Sequence, residues 1–256
     1  MKKTNSQDRL LALLDLFSLS RPLWTPDELM RELGYSRPTL YRYLKSLRDI
    51  GLLMSTRGGQ FTLGPRVMEM DYLSRHADPL VAAASSHLNR LTTARACTAQ
   101  IVRWYGDRML CVTSQSSAPD PIGSYPRGQA VLMGRGAIGR SIMAFLPKLQ
   151  VMPLIEHHAK DLREVGFGAS TDEILVALKR IKRAGIAVAF GEMTPGAVDI
   201  AAPILEASYP VASLCMTIGG QHARRDLIDH IGEEVRNAAR LIAVEAFEPG
   251  GLTKPS

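Results

Sequence analysis

Residues 25–51 read TPDELMRELGYSRPTLYRYLKSLRDIG, and this stretch decides the fold of the first part of the chain. Its spacing predicts two helices joined by a tight turn. Thr25 is placed to cap the first helix, Pro26 fits its opening turn, and Asp27 and Glu28 suit the positive end of the helix dipole. Leu29, Met30 and Leu33 give it an apolar face, and Gly34 gives it a left-handed stop. Ser36 is placed to cap the second helix, with Pro38 in its first turn and Gly51 at its end. Leu40, Tyr43, Leu44 and Leu47 form a stripe at i, i+3, i+4 and i+7. Off the stripe lie Arg37, Thr39, Tyr41, Arg42, Lys45 and Arg48, with no acid between Arg37 and Arg48. A buried helix has no use for such a face. A helix laid in the major groove has one, because Arg and Lys neutralise phosphates and Arg grips a guanine edge with two hydrogen bonds. An ordinary helical hairpin with a solvated basic face is the alternative at this point.

The segment that follows favours the groove. Residues 52–55 read as a short strand, Thr56-Arg57-Gly58-Gly59-Gln60 as a turn, and 61–63 as a returning strand. A hairpin directly after a basic helix is the wing of a winged helix-turn-helix, and Arg57 at its tip can reach phosphates or the minor groove. Upstream, Leu10, Leu11, Leu13, Leu14, Leu16 and Phe17 predict one amphipathic first helix. Three helices and a wing in about 65 residues fit a small DNA-binding module. Ser36, Arg37, Thr39 and Arg42 are the candidates for bases or flanking phosphates. Tyr41, Lys45 and Arg57 are the candidates for backbone anchoring, and Thr25 completes the DNA-binding set. One recognition helix covers only a few base pairs, so a dimer on a pseudo-palindromic, double-stranded operator is the geometric expectation.

Composition agrees with an anionic partner. The chain has 256 residues, is 46% apolar, and carries a formal charge of +6; its sequence pI is about 9.4. Residues 1–75 hold 12 Lys and Arg against 8 Asp and Glu, and the remainder holds 19 against 17, so the basic excess concentrates where DNA binding is expected. The start lacks the apolar core of a signal peptide, and no run approaches 18 uncharged apolar residues, so no membrane partner is expected. The three cysteines, Cys97, Cys111 and Cys215, are odd in number and widely spaced. They read as reduced thiols of a cytoplasmic protein rather than a disulfide frame or zinc site.

Four segments are expected: a winged module over residues 5–70, a linker helix over 71–93, a second domain over 94–248 and a frayed tail over 249–256. The linker has a helix start at Asp78-Pro79. In the second domain, strands are expected at 98–105, 109–113 and within 122–133, then a helix at 137–145 stopped by Pro147. Ser170 opens a helix that runs to Ala184, with Glu173 three residues on as in a capping box. Strands at 186–190, 199–206 and 212–218 precede one long closing helix at 222–247. This is an α+β class with a mixed or antiparallel sheet.

Five pieces in register carry a family resemblance: RLLALLDLF (9–17), ELGYSRPTLYRYLKSL (32–47), the wing ending in FTLGPRV (61–67), AIGRSIMAFLP (137–147), and RAGIAVAFGEMTPGAVDIAAPI (183–204) followed by VASLCMTIGG (211–220). On these the chain resembles the IclR family of bacterial transcription regulators over nearly its whole length. The resemblance implies a winged DNA-binding domain, a linker helix and a GAF-like effector-binding domain. It also implies dimers, often dimers of dimers, that repress or activate catabolic operons. Carried over position by position, it implies an effector pocket at Ala137 and Ile138, Asp199, and Thr217 with Gly219. Amides at the start of the Ala137 helix would suit a carboxylate effector. The chain departs from the commoner pattern at Asp199, where many members have a cysteine. It also has Gly191-Glu192 where an acidic pair is usual, with Phe190 and Ala189 in place of further acids. A carboxylate at Asp199 repels a small dianion and accepts a hydrogen bond from a hydroxyl, phenol or amine, which favours a hydroxylated or aromatic effector. Pairing of Asp199 with a nearby Arg is the alternative.

Other functions fit less well. Gly134-Arg135-Gly136-Ala137-Ile138-Gly139 matches G-x-G-x-x-G and opens a helix, with Glu156 near the distance of a ribose-binding acid. An NAD(P)-dependent enzyme on that segment needs a strand at 149–155, where Pro153 stands, and an alternation of strands and helices that is missing. His222, Asp226 and His230 recur at i, i+4 and i+8, too far apart for one ion. His157-His158 signals nothing. No catalytic residue, metal or cofactor is expected. A purely architectural DNA binder would not need some 160 residues after the wing.

Overall fold

The computed structural model describes residues 5–117 and 122–248, with the side chain of His222 outside the description. The tail expected to fray, 249–256, lies outside it as well. The chain divides between Ala77 and Asp78 into two compact units.

The first unit opens with α1 (Ser6–Leu11), followed by a 3-10 turn at Leu14–Leu16. The expected single first helix is therefore broken, because Leu13 drops fully into the core while Leu11 is exposed. α2 (Pro26–Leu33) and α3 (Arg37–Asp49) are the two helices of the quoted stretch. Thr25 and Glu28 close a reciprocal capping box, and α2 ends at Gly34. Leu40, Tyr43, Leu44 and Leu47 are all buried, as the stripe requires. Each fully buried leucine contributes about 1.5–3 kcal/mol of transfer free energy, which is what pins α3 to the unit. Ser36 corrects one expectation. It stands at the N-cap position but makes no side-chain cap bond; its Oγ donates to Thr39 Oγ1 at 3.0 Å instead.

The wing is β1 (Leu53–Ser55) paired antiparallel with β2 (Phe61–Leu63). Trp24 and Phe61 exchange two backbone hydrogen bonds of 3.0 and 2.7 Å, which adds a third short rung from the chain ahead of α2. Trp24 also donates its indole N–H to Leu16 O at 3.1 Å. One buried tryptophan thus ties turn, wing and helix-turn-helix together. α4 (Pro65–Ala77) closes the unit, and no residue of it is buried. The next helix, α5 (Pro79–Ala94), belongs to the second unit. The stretch expected as one linker helix therefore holds the end of α4 and nearly all of α5.

The second unit continues through β3 (Thr98–Trp104), β4 (Met109–Ser116), β5 (Ala130–Val131), α6 (Gly136–Met143), α7 (Lys148–His157), α8 (Ala159–Glu164), α9 (Thr171–Ala184), β6 (Ala187–Phe190), β7 (Ala197–Glu206), β8 (Tyr209–Gly219) and α10 (Arg225–Phe247). Its six-stranded sheet has the order β5-β4-β3-β8-β7-β6, and every pairing is antiparallel. The closing helix starts at Arg225, after a 3-10 turn at Gly220–His222. Residues 149–155 lie in α7, Pro153 included, so the parallel sheet of a dinucleotide fold is absent from the described residues.

Strand alternation sorts the sheet into two faces. Ala99, Ile101, Val198, Ile200, Ala202, Leu214, Met216 and Ile218 pack against α5 and α10. Gln100, Val102, Ala201, Cys215 and their neighbours turn to the other face, where Ala137, Ile142 and Leu178 of α6 and α9 cover the sheet. Ser141 of α6 is tied to Ser213 of β8 by a buried hydrogen bond of 2.8 Å. All three cysteines are buried and unbridged in this unit.

Candidate DNA-contacting face and effector pocket

On the first unit, Ser36, Arg37, Tyr41, Arg42, Lys45 and Arg57 are exposed and Thr39 is half-buried. The buried stripe fixes which side of α3 faces the core, so the basic side necessarily faces outward. Lys45 and Arg57 carry no side-chain hydrogen bond or ion pair among the described residues. Arg37 reaches Asp27 Oδ1 at 3.4 Å. A pair this exposed is worth about 0–1 kcal/mol and yields readily to a phosphate. Thr25 is committed locally, since its hydroxyl donates to Glu28 Oε2 at 2.8 Å and accepts from Glu28 N at 3.3 Å. The Thr25 backbone N–H, with its hydroxyl next, holds the Glu28 carboxyl below its ordinary pKa.

On the second unit, the structure brings Asp199 and Thr217 together as cross-strand neighbours of β7 and β8. Thr217 Oγ1 donates to Asp199 Oδ1 at 2.7 Å. Asp199 is thus partnered by a hydroxyl, not by an arginine. A Cβ placed on Gly136 would lie 3.8 Å from Asp199 Oδ2 and 3.0 Å from Met193 Cγ, so the start of α6 faces that carboxylate closely. Gly136 has φ 76°, a conformation open to glycine and strained for other residues. Gly139 is required for a different reason. A Cβ there would stand 2.1 Å from Met133 O. A positive φ at Gly136 and close backbone approach at Gly139 therefore account for two of the three glycines of the G-x-G-x-x-G match.

Ala137 and Ile138 are buried in the core behind this start, so they can offer only backbone to a ligand. Gly219 closes β8 opposite Ala197. Gln100 pins the chain beside the Asp199–Thr217 pair: Tyr125 N donates to its Oε1 at 3.1 Å, and its Nε2 donates to Gly123 O at 3.3 Å. A Cβ on Gly123 would lie 2.7 Å from Thr217 Cγ2. Burial raises the Asp199 carboxyl above its ordinary value; the Thr217 hydroxyl opposes this and the Glu192 charge adds to it. Burial, then the charge on Asp199, pushes the Tyr125 phenol up to about 12. Tyr125 is therefore a neutral phenol at ordinary pH and able to donate, while Asp199 holds its charge less readily than an exposed carboxyl.

The sequence reading noted Glu192 only as a departure from the family pattern and missed Arg140. Gly136 N donates to Glu192 Oε2 at 3.0 Å, and Arg140 Nη2 donates to the same oxygen at 2.6 Å. The amide expected to await an effector carboxylate holds one of the chain's own. The signal was available, because Arg140 sits in an apolar helix and a buried guanidinium demands an acid. A separate groove of about 570 Å³ opens at the other end of β7, beside Phe247 and Arg240. It contains none of these residues, and its two acids, Glu206 and Glu248, match its two bases, Arg236 and Arg240, so it singles out no ligand.

Comparison with known proteins agrees with this architecture. The family described as bacterial transcriptional regulator IclR C-terminal matches residues 70–244, and the IclR helix-turn-helix domain matches residues 6–56. The HTH-type transcriptional regulator KipR of Bacillus subtilis is 26% identical over 238 residues, covering 91% of this chain and 93% of that protein. Among solved structures, an IclR family transcriptional regulator from Brucella abortus superposes with a TM-score of 0.74 at 18% identity, covering 93% and 91% of the two chains. An IclR homologue from Microbacterium hydrocarbonoxydans, solved with 4-hydroxybenzoate, gives 0.74 at 20% identity, covering 94% and 98%. At these identities the superpositions speak for the fold. No helix of the described residues is long and apolar enough to cross a membrane.

Proposed function

Because the chain belongs to the IclR family of bacterial transcriptional regulators, we propose that it is a cytoplasmic, ligand-responsive regulator of a catabolic operon. Its first unit grips a pseudo-palindromic operator and its second unit takes a small organic effector. The observation that carries this reading is α3, whose leucine stripe is buried while Arg37, Tyr41, Arg42 and Lys45 stand exposed on the opposite side. Ser36, Arg37, Thr39 and Arg42 meet bases or flanking phosphates at the first turns of the helix. Tyr41, Lys45 and Arg57 anchor the backbone, and Thr25 sets the helix that carries the turn.

Two copies act together on the operator. Support comes from α4, which buries nothing and exposes Met68, Met70, Tyr72 and Leu73, more apolar surface than a lone helix keeps in water. The effector lies between the start of α6 at Ala137 and Ile138 and the strand positions Asp199, Thr217 and Gly219. It is an aromatic or hydroxylated acid. The Asp199 carboxyl, already accepting from one hydroxyl, and the phenol of Tyr125 support this, as does the 4-hydroxybenzoate held by the Microbacterium homologue.

A gel shift on the intergenic DNA beside the gene, at two salt concentrations and with a panel of aromatic and hydroxy acids, tests the reading. A specific complex altered by one compound is the expected result. The absence of any specific complex would overturn it.

A further inference from the structure

The amide end of α6 is the natural seat for an acid in this pocket, and the chain has filled it itself. All eight residues of α6 are buried, and Arg140 among them is only 4% exposed. Its guanidinium lies 4.2 Å from the centre of the Phe167 ring, and its Nε has no partner among the described residues. The counter-charge comes from the turn between β6 and β7, where Glu192 places one oxygen against both Gly136 N and Arg140 Nη2.

That turn is stitched, not loose. Gly191 N donates to Ala197 O at 2.8 Å, Ala197 N to Thr194 O at 3.1 Å, and Gly220 N to Gly196 O at 2.7 Å. Met193 packs against Gly136, its Cγ only 3.0 Å from where a Cβ would stand. A helix start, a buried cation and a fixed loop therefore converge on one carboxylate.

We infer that Glu192 is a built-in ligand of this seat and a specificity-determining residue of the pocket. It stands where an effector carboxylate would sit, and so turns the effector round. The hydroxyl, phenol or amine end faces Asp199, and any carboxylate the effector carries points away from α6. A second anion at this end would meet both Glu192 and Asp199, which disfavours it by like-charge repulsion. The orientation rests on the effector-pocket reading above; the occupancy of the seat does not.

The test is chemical rescue in the full chain, with sodium acetate compared with sodium chloride at equal ionic strength. Wild type should melt at the same temperature in both salts. Glu192→Ala empties the seat and should melt lower in chloride. Acetate at roughly ten times its Kd should then raise the melting temperature by about 3–6 °C. Adding Arg140→Met should abolish the acetate response, because the anion has lost its cation. Acetate stabilising wild type as much as Glu192→Ala would show an open seat and overturn the inference. A folded Glu192→Ala indifferent to acetate would do the same. If Glu192→Ala folds in neither salt, Glu192→Ser decides by the same comparison, since it also empties the seat and its small polar side chain suits a turn. The effector reading fails separately. If Asp199→Asn leaves the operator complex's response to its compound unchanged, the effector orientation is overturned even where acetate rescue succeeds.

Discussion

Replacing Lys45 with alanine removes one exposed ammonium from α3 and leaves its buried stripe intact. Lys45 carries no ion pair among the described residues, so the change is a clean loss of one charge from the basic side of α3. Each phosphate a protein neutralises contributes about 0.9 to the slope of log K against log salt. Between about 50 and 200 mM salt, one such contact is worth roughly 3.5-fold in affinity, and the two copies on a pseudo-palindrome roughly 12-fold. Fluorescence anisotropy on a labelled operator duplex, titrated across that range, should show the variant's slope shallower by about 1.8 than the parent's if both copies bind. The loss should be the same on unrelated DNA, because phosphates carry no sequence. An unchanged slope would refute the placement of Lys45 on the backbone. A loss confined to the operator would refute it in another way, by making Lys45 a base reader.

Two further outcomes follow from local chemistry. Thr25→Ala breaks the capping box of α2 and should cost about 1 kcal/mol. That lowers the melting of a unit of 60–100 residues by about 4–8 °C. Calorimetry should show the second unit's transition unmoved, and equal shifts in both would contradict the assignment. Asp199→Asn should act with a defined pH dependence. The folded-state pKa lies above the ordinary 3.8, chiefly through burial. Ionisation therefore costs stability, beginning as the pH rises through 3.8 and reaching its full extent above the folded value. The variant should melt above the parent at neutral pH, and the gap should close on acidification; a gap that widens as the pH falls would show that burial does not dominate.

The first unit was legible because its instructions are local. The stripe of α3, the Thr25 cap and the Gly58-Gly59 turn each act within a few residues, so spacing alone predicts them. The Trp24–Phe61 rungs were not legible, since they join positions 37 residues apart with nothing periodic to announce them. In the second unit the order of strands was readable, but the sheet order was not. β3 sits between β4 and β8 across a gap of more than a hundred residues. The pocket shows the same limit. Asp199 and Thr217 were reachable through family resemblance. Arg140 and Glu192, 52 residues apart, become a pair only when α6 and the β6–β7 turn meet. Ser36 shows a smaller limit: the right residue stood at the cap, and a neighbouring hydroxyl took its hydrogen bond.

The three buried thiols amount to a gauge of opening. Burial pushes Cys97 and Cys111 up to about 11 and raises Cys215 well above the ordinary range. At neutral pH almost none is thiolate, so native chains react slowly with alkylating or disulfide reagents. Cys215 lies in a central strand, beneath Asp199 and Thr217, and is labelled only when the sheet comes apart. All three belong to the second unit. The labelling rate of the unmodified protein thus reports how often that unit opens, how strongly a bound molecule keeps it shut, and nothing about the unit that holds the DNA.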